Sequence, residues 1–147
     1  MLVDDQRSVA EAVRRLLAPA PELAVHFCQD PARALEMARG LAPAVILQGL
    51  IMPGSDGLYL LDTYRADPVV RDIPAVVLST REDPLVKAEA FTREANDYLV
   101  KLPQGPDLAA RMRTHAAADH ARRERDVAFQ ALAESERRRA WAGCAVR

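Results

Sequence analysis

Short apolar runs alternate along this chain with segments whose apolar residues recur at helical spacing. The runs are Leu2-Val3, Leu23-Ala24-Val25, Val45-Ile46-Leu47, Ala75-Val76-Val77-Leu78 and Tyr98-Leu99-Val100. Continuous aliphatic runs of this length, bounded by turn formers, are the mark of strands buried on both faces. Between the first two runs, Ala10, Val13, Leu16 and Leu17 share one helical face, and Ser8-Val9-Ala10-Glu11 reads as the capping box that starts it. Asp30-Pro31 and Asp83-Pro84 each set an N-cap before a proline at the first helical position. Gly40 is placed to stop a second helix, and Gly57 opens a third that carries Leu58, Leu60, Leu61 and Tyr64. Strands alternating with helices predict an α/β domain: a doubly wound, five-stranded parallel sheet with helices on both faces. Only Leu2 and Val3 separate Met1 from Asp4, so a clipped first strand is expected.

From Asp107 the pattern changes. Residues 107–139 contain neither glycine nor proline, are rich in alanine and carry regularly spaced arginines, which predicts one long helix. That is longer than a sheet of this size can cover, so its outer part is expected to be free or packed on a partner. A seven-residue stripe of Ala110, Ala117, Glu124 and Ala131, with Thr114, Ala121, Ala128 and Ser135 between, is made of small residues and broken by a glutamate. Leu108, Met112, Phe129 and Leu132 lie on a neighbouring face. Strong coiled coils carry Leu, Ile or Val at such positions, so a weak homodimer is the expectation. The domain plan is therefore a body over residues 1–120, a last helix over 107–139 running into a stalk, and a frayed tail at 140–147.

Composition narrows the function classes. The 20 basic and 21 acidic residues nearly cancel, leaving a net charge of −1 and no global pull toward nucleic acid or an anionic membrane. Half of the residues are hydrophobic but only 5% are aromatic, so the core should be aliphatic. Cys28 and Cys144 lack metal-ligand spacing; Cys28 reads as a buried small hydrophobe and Cys144 as an incidental thiol, which suits a reducing cytoplasm. His26, expected in the second strand, and His115 and His120, five apart on a helix, do not form a ligand set.

The chemistry sits where the runs end. Asp4 and Asp5 follow the first, Ser79 closes the fourth and Lys101 follows the fifth, while Gly49 closes the third. In open parallel sheets, ligands bind beyond the carboxyl ends of the strands at the point where the strand order reverses. Paired carboxylates there suit a hard cation such as Mg²⁺, which takes oxygen ligands.

This set resembles the receiver domain of two-component response regulators (CheY-like), over residues 1 to about 120. The resemblance implies a flavodoxin-like sheet in order 2-1-3-4-5, with Asp4 and Asp5 as the pair that holds Mg²⁺. It further implies Ser79 as the switch hydroxyl, Lys101 as the phosphate-pairing lysine and Tyr98 as the switch aromatic. Gly49 falls on the phospho-accepting aspartate. Glycine has no nucleophile, and Gln48 points to the opposite face of the strand. The wording Val45-Ile46-Leu47-Gln48, Leu78-Ser79-Thr80-Arg81-Glu82-Asp83-Pro84 and Ala95-Asn96-Asp97-Tyr98-Leu99-Val100-Lys101-Leu102-Pro103 is most similar to receivers of the Wsp type. Those are joined through a helical stalk to a diguanylate cyclase domain. Glu94 departs from the small residue, often glycine, that precedes Ala95 in such receivers.

The resemblance thus implies a cytoplasmic, non-enzymatic regulatory module in phosphorelay signalling. Its partners would be a histidine kinase or other signalling protein and an effector such as a diguanylate cyclase in a longer parent. Any Mg²⁺ would bind weakly, the usual third carboxylate being absent. Two alternatives stand beside this: phosphorylation at a non-standard acceptor, or an engineered inactive form of a phosphorylatable parent. A flavodoxin-like cofactor binder is disfavoured, since the loop after the first strand is acidic where a phosphate cradle needs Gly, Ser and Thr.

Overall fold

The computed structural model describes residues 1–100 and 102–145. In chain order the elements are β1 (Leu2–Val3), α1 (Arg7–Leu17), β2 (Phe27–Cys28), a 3-10 turn (Pro31–Arg33) running into α2 (Ala34–Leu41), β3 (Ile46–Gly49), β4 (Ile51–Met52), β5 (Ser55–Asp56), α3 (Gly57–Ala66), β6 (Ala75–Ser79), α4 (Pro84–Thr92), β7 (Asp97–Val100) and α5 (Gly105–Ala145). The main sheet is all parallel in order β2-β1-β3-β6-β7, which is the expected 2-1-3-4-5 once the separate antiparallel ribbon β4–β5 is set aside.

Alternation along the strands splits the core between the two faces of the sheet. Leu2, Leu47, Val76, Leu78 and Leu99 meet Ala10, Val13 and Leu17 of α1 and Leu108, Ala109 and Met112 of α5. On the other face, Val3 and Ile46 pack with Ala34 and Ala38 of α2 and Leu60 and Tyr64 of α3. Ala75 and Val77 pack with Leu61, Ala90 and Tyr98. Arg65 of α3 ties this second layer together, donating to the carbonyls of Arg71, Ile73 and Glu94 and to Asn96 Oδ1 at 2.8–2.9 Å.

Several local expectations need correction. The second strand is Phe27–Cys28 rather than Leu23–Val25, because pairing extends only as far as the two residues of β1. His26 precedes that strand and is exposed, its carbonyl accepting from Leu2 N–H at 2.8 Å. Ser8 is not a cap: α1 begins at Arg7 behind Gln6, and the Gln6 N–H is taken by Asp4 Oδ1 at 2.9 Å. Leu16 is only partly buried. Gly40 does not stop α2, which runs to Leu41 and ends on Ala42 in the left-handed region at φ 45°. The two Asp-Pro caps form as expected, Asp30 accepting from Ala32 and Asp83 from Leu85 and Val86.

Glu94 has a backbone explanation. It is left-handed, φ 66°, and its N–H donates to Phe91 O at 3.0 Å while Ala95 N–H donates to Ala90 O at 3.0 Å. This is a Schellman turn closing α4, whose left-handed position favours glycine over any residue with a Cβ. Glu94→Gly is therefore expected to raise stability by about 1 kcal/mol, measured by urea unfolding; a loss would mean that the Glu94 side chain contributes more than the backbone strain costs.

The last helix is longer than expected at both ends, running from Gly105 to Ala145 over 41 residues, or about 60 Å at 1.5 Å per residue. It thus continues through 140–145, the stretch expected to fray. Its first part lies against α1. Asp119 is buried and pairs with Arg122 at 2.8 Å and Arg123 at 2.7 Å, and Arg123 also donates to the carbonyls of Ala42 and Pro43 at 3.0 and 3.1 Å. This cluster clamps α5 to the loop before β3, at the amino ends of the strands. Beyond Arg123 no described residue of the helix is buried, and Val127, Phe129, Leu132 and Trp141 are exposed.

Candidate functional site

The parallel register brings four of the five strand-end residues to one edge. Val3 lies opposite Gln48, Gly49 opposite Leu78, and Ser79 opposite Val100. Asp4 and Asp5 therefore leave the sheet beside the end of β3, one strand from Ser79. Asp4, Asp5 and Ser79 line a single open cleft of about 480 Å³, with Leu50, Arg81 and Leu102 among its other walls. Lys101 lies outside the described residues.

Gly49 is buried at the end of β3, and the space where its side chain would begin is already occupied. A Cβ there would stand 2.7 Å from Asp4 Oδ2 and 3.1 Å from the Val3 carbonyl oxygen. The Asp4 carboxylate leans against the β3 backbone while its other oxygen holds the Gln6 N–H. Burial, reinforced by the neighbouring Asp5, raises the Asp4 carboxyl above its ordinary range, against the lowering effect of the Gln6 hydrogen bond.

The two hydroxyls on the far side of the cleft converge on one backbone residue. Ser79 Oγ accepts from Arg81 N–H at 3.1 Å and lies 3.0 Å from the Arg81 carbonyl oxygen, to which it donates. Buried Tyr98 donates its hydroxyl to that same carbonyl at 3.3 Å. Arg81 was not among the expected site residues, and no pattern in the sequence marks it, because it acts through its main chain.

Below the edge, Gln48 faces away from the cleft, as strand alternation requires. It is fully buried, accepts the Tyr64 hydroxyl at 2.6 Å and donates to Gly49 O at 3.0 Å. Asp56 is the N-cap of α3, accepting from Leu58 N–H at 2.9 Å. Gly57 packs directly on the backbone of Gly49 and Leu50, and its N–H donates to Leu50 O at 2.9 Å.

Among the described residues no group of three His, Cys, Asp or Glu side chains is arranged to hold a metal. The cleft offers the oxygens of Asp4 and Asp5. Mg²⁺ can be held by one or two carboxylates when waters and phosphate complete its octahedron, so the donor set fits a hard cation in number and type. No helix among the described residues is long and apolar enough to cross a membrane.

Comparison with known proteins agrees with this geometry. The family model for the response regulator receiver domain matches residues 1–113. The cyclic di-GMP phosphodiesterase response regulator RpfG of Xanthomonas campestris is 33% identical over 112 residues, which are 76% of this chain and 30% of that protein. The nitrate/nitrite response regulator NarL of Escherichia coli is 31% identical over 120 residues, 81% of this chain and 55% of that protein. This chain thus spans about a third to a half of the length of these curated relatives. Among solved structures, chemotaxis protein CheY4 of Vibrio cholerae superposes with a TM-score of 0.70 at 26% identity, covering 77% of this chain and 93% of that one. The sheet order, the edge where its acidic and hydroxyl groups gather, and these matches lead to one family: the chain belongs to the response regulator receiver domains, regulatory and non-catalytic modules of two-component systems.

Proposed function

We propose that this receiver does not use the usual phospho-acceptor position, because Gly49 stands where that aspartate would be, and that it acts as a regulatory protein-interaction module. One observation supports this above the others: the Asp4 carboxylate occupies the place where a side chain at position 49 would begin. In this reading Asp4 and Asp5 are a weakened Mg²⁺ site, and Ser79, Tyr98 and Lys101 are remnants of the phosphorylation pocket. Phosphorylation would otherwise add about −1.5 to −2 charges and shift the population toward an active state. Without the acceptor, that shift comes from a partner protein, or the domain holds one state throughout. Ser79 is a poor substitute acceptor, since its hydroxyl is engaged with the Arg81 backbone. Saturating beryllofluoride with Mg²⁺ should leave the backbone amide spectrum around Ser79 and Tyr98 unchanged; a response there would sink this reading.

The partners follow from the family and from the wording of the motifs. They are a histidine kinase or another signalling protein upstream, and an effector such as a diguanylate cyclase in a longer parent. The setting is cytoplasmic, with no direct contact to nucleic acid or membrane. The receiver body covers residues 1–120, and α5 beyond Arg123 is the lever between receiver and effector. Exposed Val127, Phe129 and Leu132 on that lever support a weak parallel homodimer, because pairing would gain about 25 cal/mol per Å² of apolar surface buried. Sedimentation should show association of the intact chain that rises with concentration and is absent from a chain ending near residue 123. Two monomers at high concentration would reduce the helix to a linker.

A further inference from the structure

Beyond Arg123 the last helix carries apolar side chains on two different sides. Trp141 stands nine residues after Leu132, about two and a half helical turns, and therefore on the opposite side of the helix. A parallel pair formed through Phe129 and Leu132 leaves Trp141 turned away from the contact. Trp141 is exposed, and it is the only tryptophan in the chain. Tryptophan and arginine are the residue types that most often anchor protein contacts. With Glu134, Arg137, Arg138 and Ala142, Trp141 surrounds a shallow open hollow on the helix.

Ala131, Glu134, Arg138 and Trp141 follow one another at spacings of three, four and three residues. They therefore form one line along the helix. All four are exposed. Within the chain, Arg138 donates to Glu134 at 2.6 Å, which places both side chains on that line.

The order of these residues decides how a second copy can meet them. In a parallel pair every residue faces its own copy, so Glu134 meets Glu134 and Arg138 meets Arg138. Like charges then oppose each other along the whole contact. In an antiparallel pair with its two-fold axis level with residue 136, Glu134 faces Arg138 and Ala131 faces Trp141, each twice. Every acid then meets a base, and the large indole meets a small side chain that leaves room for it. The exposed ion pairs set the direction but contribute little energy. Burial of the two indoles supplies the apolar gain. Arg137 stands to one side of the line and keeps its charge in water.

We propose that this line is a contact surface whose occupant is the same surface of a second copy, running antiparallel. The contact rests on α5 being free beyond Arg123. It uses neither the phospho-acceptor position nor the Phe129–Leu132 face, so it stands or falls separately from both. Where both pairings form, two parallel dimers join stalk to stalk, with their receiver bodies at the two far ends.

The test uses the full chain and the emission of Trp141. Emission should move to shorter wavelength as concentration rises, and should do so equally in Leu132→Ser, which disables the parallel face alone. Glu134→Arg or Arg138→Glu should each weaken this association about tenfold, and an equal mixture of the two variants should restore it. Direction is read by disulfide formation in a Cys144→Ser background. Copies with Ala131→Cys, mixed with copies carrying Trp141→Cys, should cross-link to each other, while Ala131→Cys copies alone should not. Cross-linking of Ala131→Cys copies to themselves would make the contact parallel and overturn the proposal. So would an emission that does not change with concentration, or single charge variants that associate as the parent does.

Discussion

Gly49→Asp is expected to give a protein that takes a phosphoryl group from a small phosphodonor in the presence of Mg²⁺, where the parent takes none. Position 49 is the end of β3 and lies outside the left-handed region, so the backbone admits a side chain. The obstacle is Asp4 Oδ2, 2.7 Å from the new Cβ. That atom is the free end of a rotatable side chain, and it can swing outward at the cost of its Gln6 contact. Three carboxylates then share one edge, which without a cation is a like-charge cluster and with one is an oxygen site. The variant should therefore be less stable than its parent by about 1–2 kcal/mol in chelator, and Mg²⁺ should return most of that loss by binding only the folded state. Unfolding with and without Mg²⁺, followed by intact-mass analysis after phosphodonor, tests both halves. A variant that binds Mg²⁺ but is never labelled would refute the roles given to Ser79 and Lys101.

Gly57→Ala should produce the largest loss of stability, about 3 kcal/mol or more. Its Cβ would meet the Gly49 carbonyl oxygen, with Leu50 Cα at 2.9 Å and Leu50 O at 3.0 Å. All three atoms are main chain, so none can rotate aside as Asp4 can. Moving them would also strain the Gly57 N–H bond to Leu50 O and shift the loop that carries position 49. Gly40 is the control: it lies inside α2 with nothing within 4 Å of its Cβ position. Gly40→Ala should gain roughly 0.5–1 kcal/mol from helix propensity. Urea unfolding of the two variants decides this, and a Gly57→Ala protein within about 1 kcal/mol of its parent would show that the α3 entrance yields more easily than its packing implies.

The sheet and its order were legible because β3, β6 and β7 each fall on one of the apolar runs, Val45–Leu47, Ala75–Leu78 and Tyr98–Val100. The edge holding Asp4, Asp5, Gly49 and Ser79 followed from the same runs, since each residue stands at a strand end. What failed was local and depended on partners distant in sequence. Leu23–Val25 has the composition of a strand, but composition cannot form a ladder without a neighbour, and β1 supplies only two residues. Ser8 has the spacing of a capping box, yet α1 already starts at Arg7, one residue before it, with Gln6 at the N-cap. Ala42 rather than Gly40 took the left-handed turn, held there by Arg123 from a helix some eighty residues later. Glu94 could be seen to differ from the expected small residue, but only the Schellman turn shows why glycine is favoured there. Arg81 left no trace in the sequence, because any residue has the carbonyl that Ser79 and Tyr98 share.

The central claim is that this receiver has no phospho-acceptor at the end of β3. Its most direct test is the intact mass of the unmodified chain after prolonged exposure to acetyl phosphate and Mg²⁺, with Gly49→Asp treated in parallel. The account predicts an unchanged mass for the chain and one added, acid-labile phosphoryl group on the variant. A phosphoryl group on the unmodified chain, mapped to Ser79 or another residue of the cleft, or to Asp56, would contradict it.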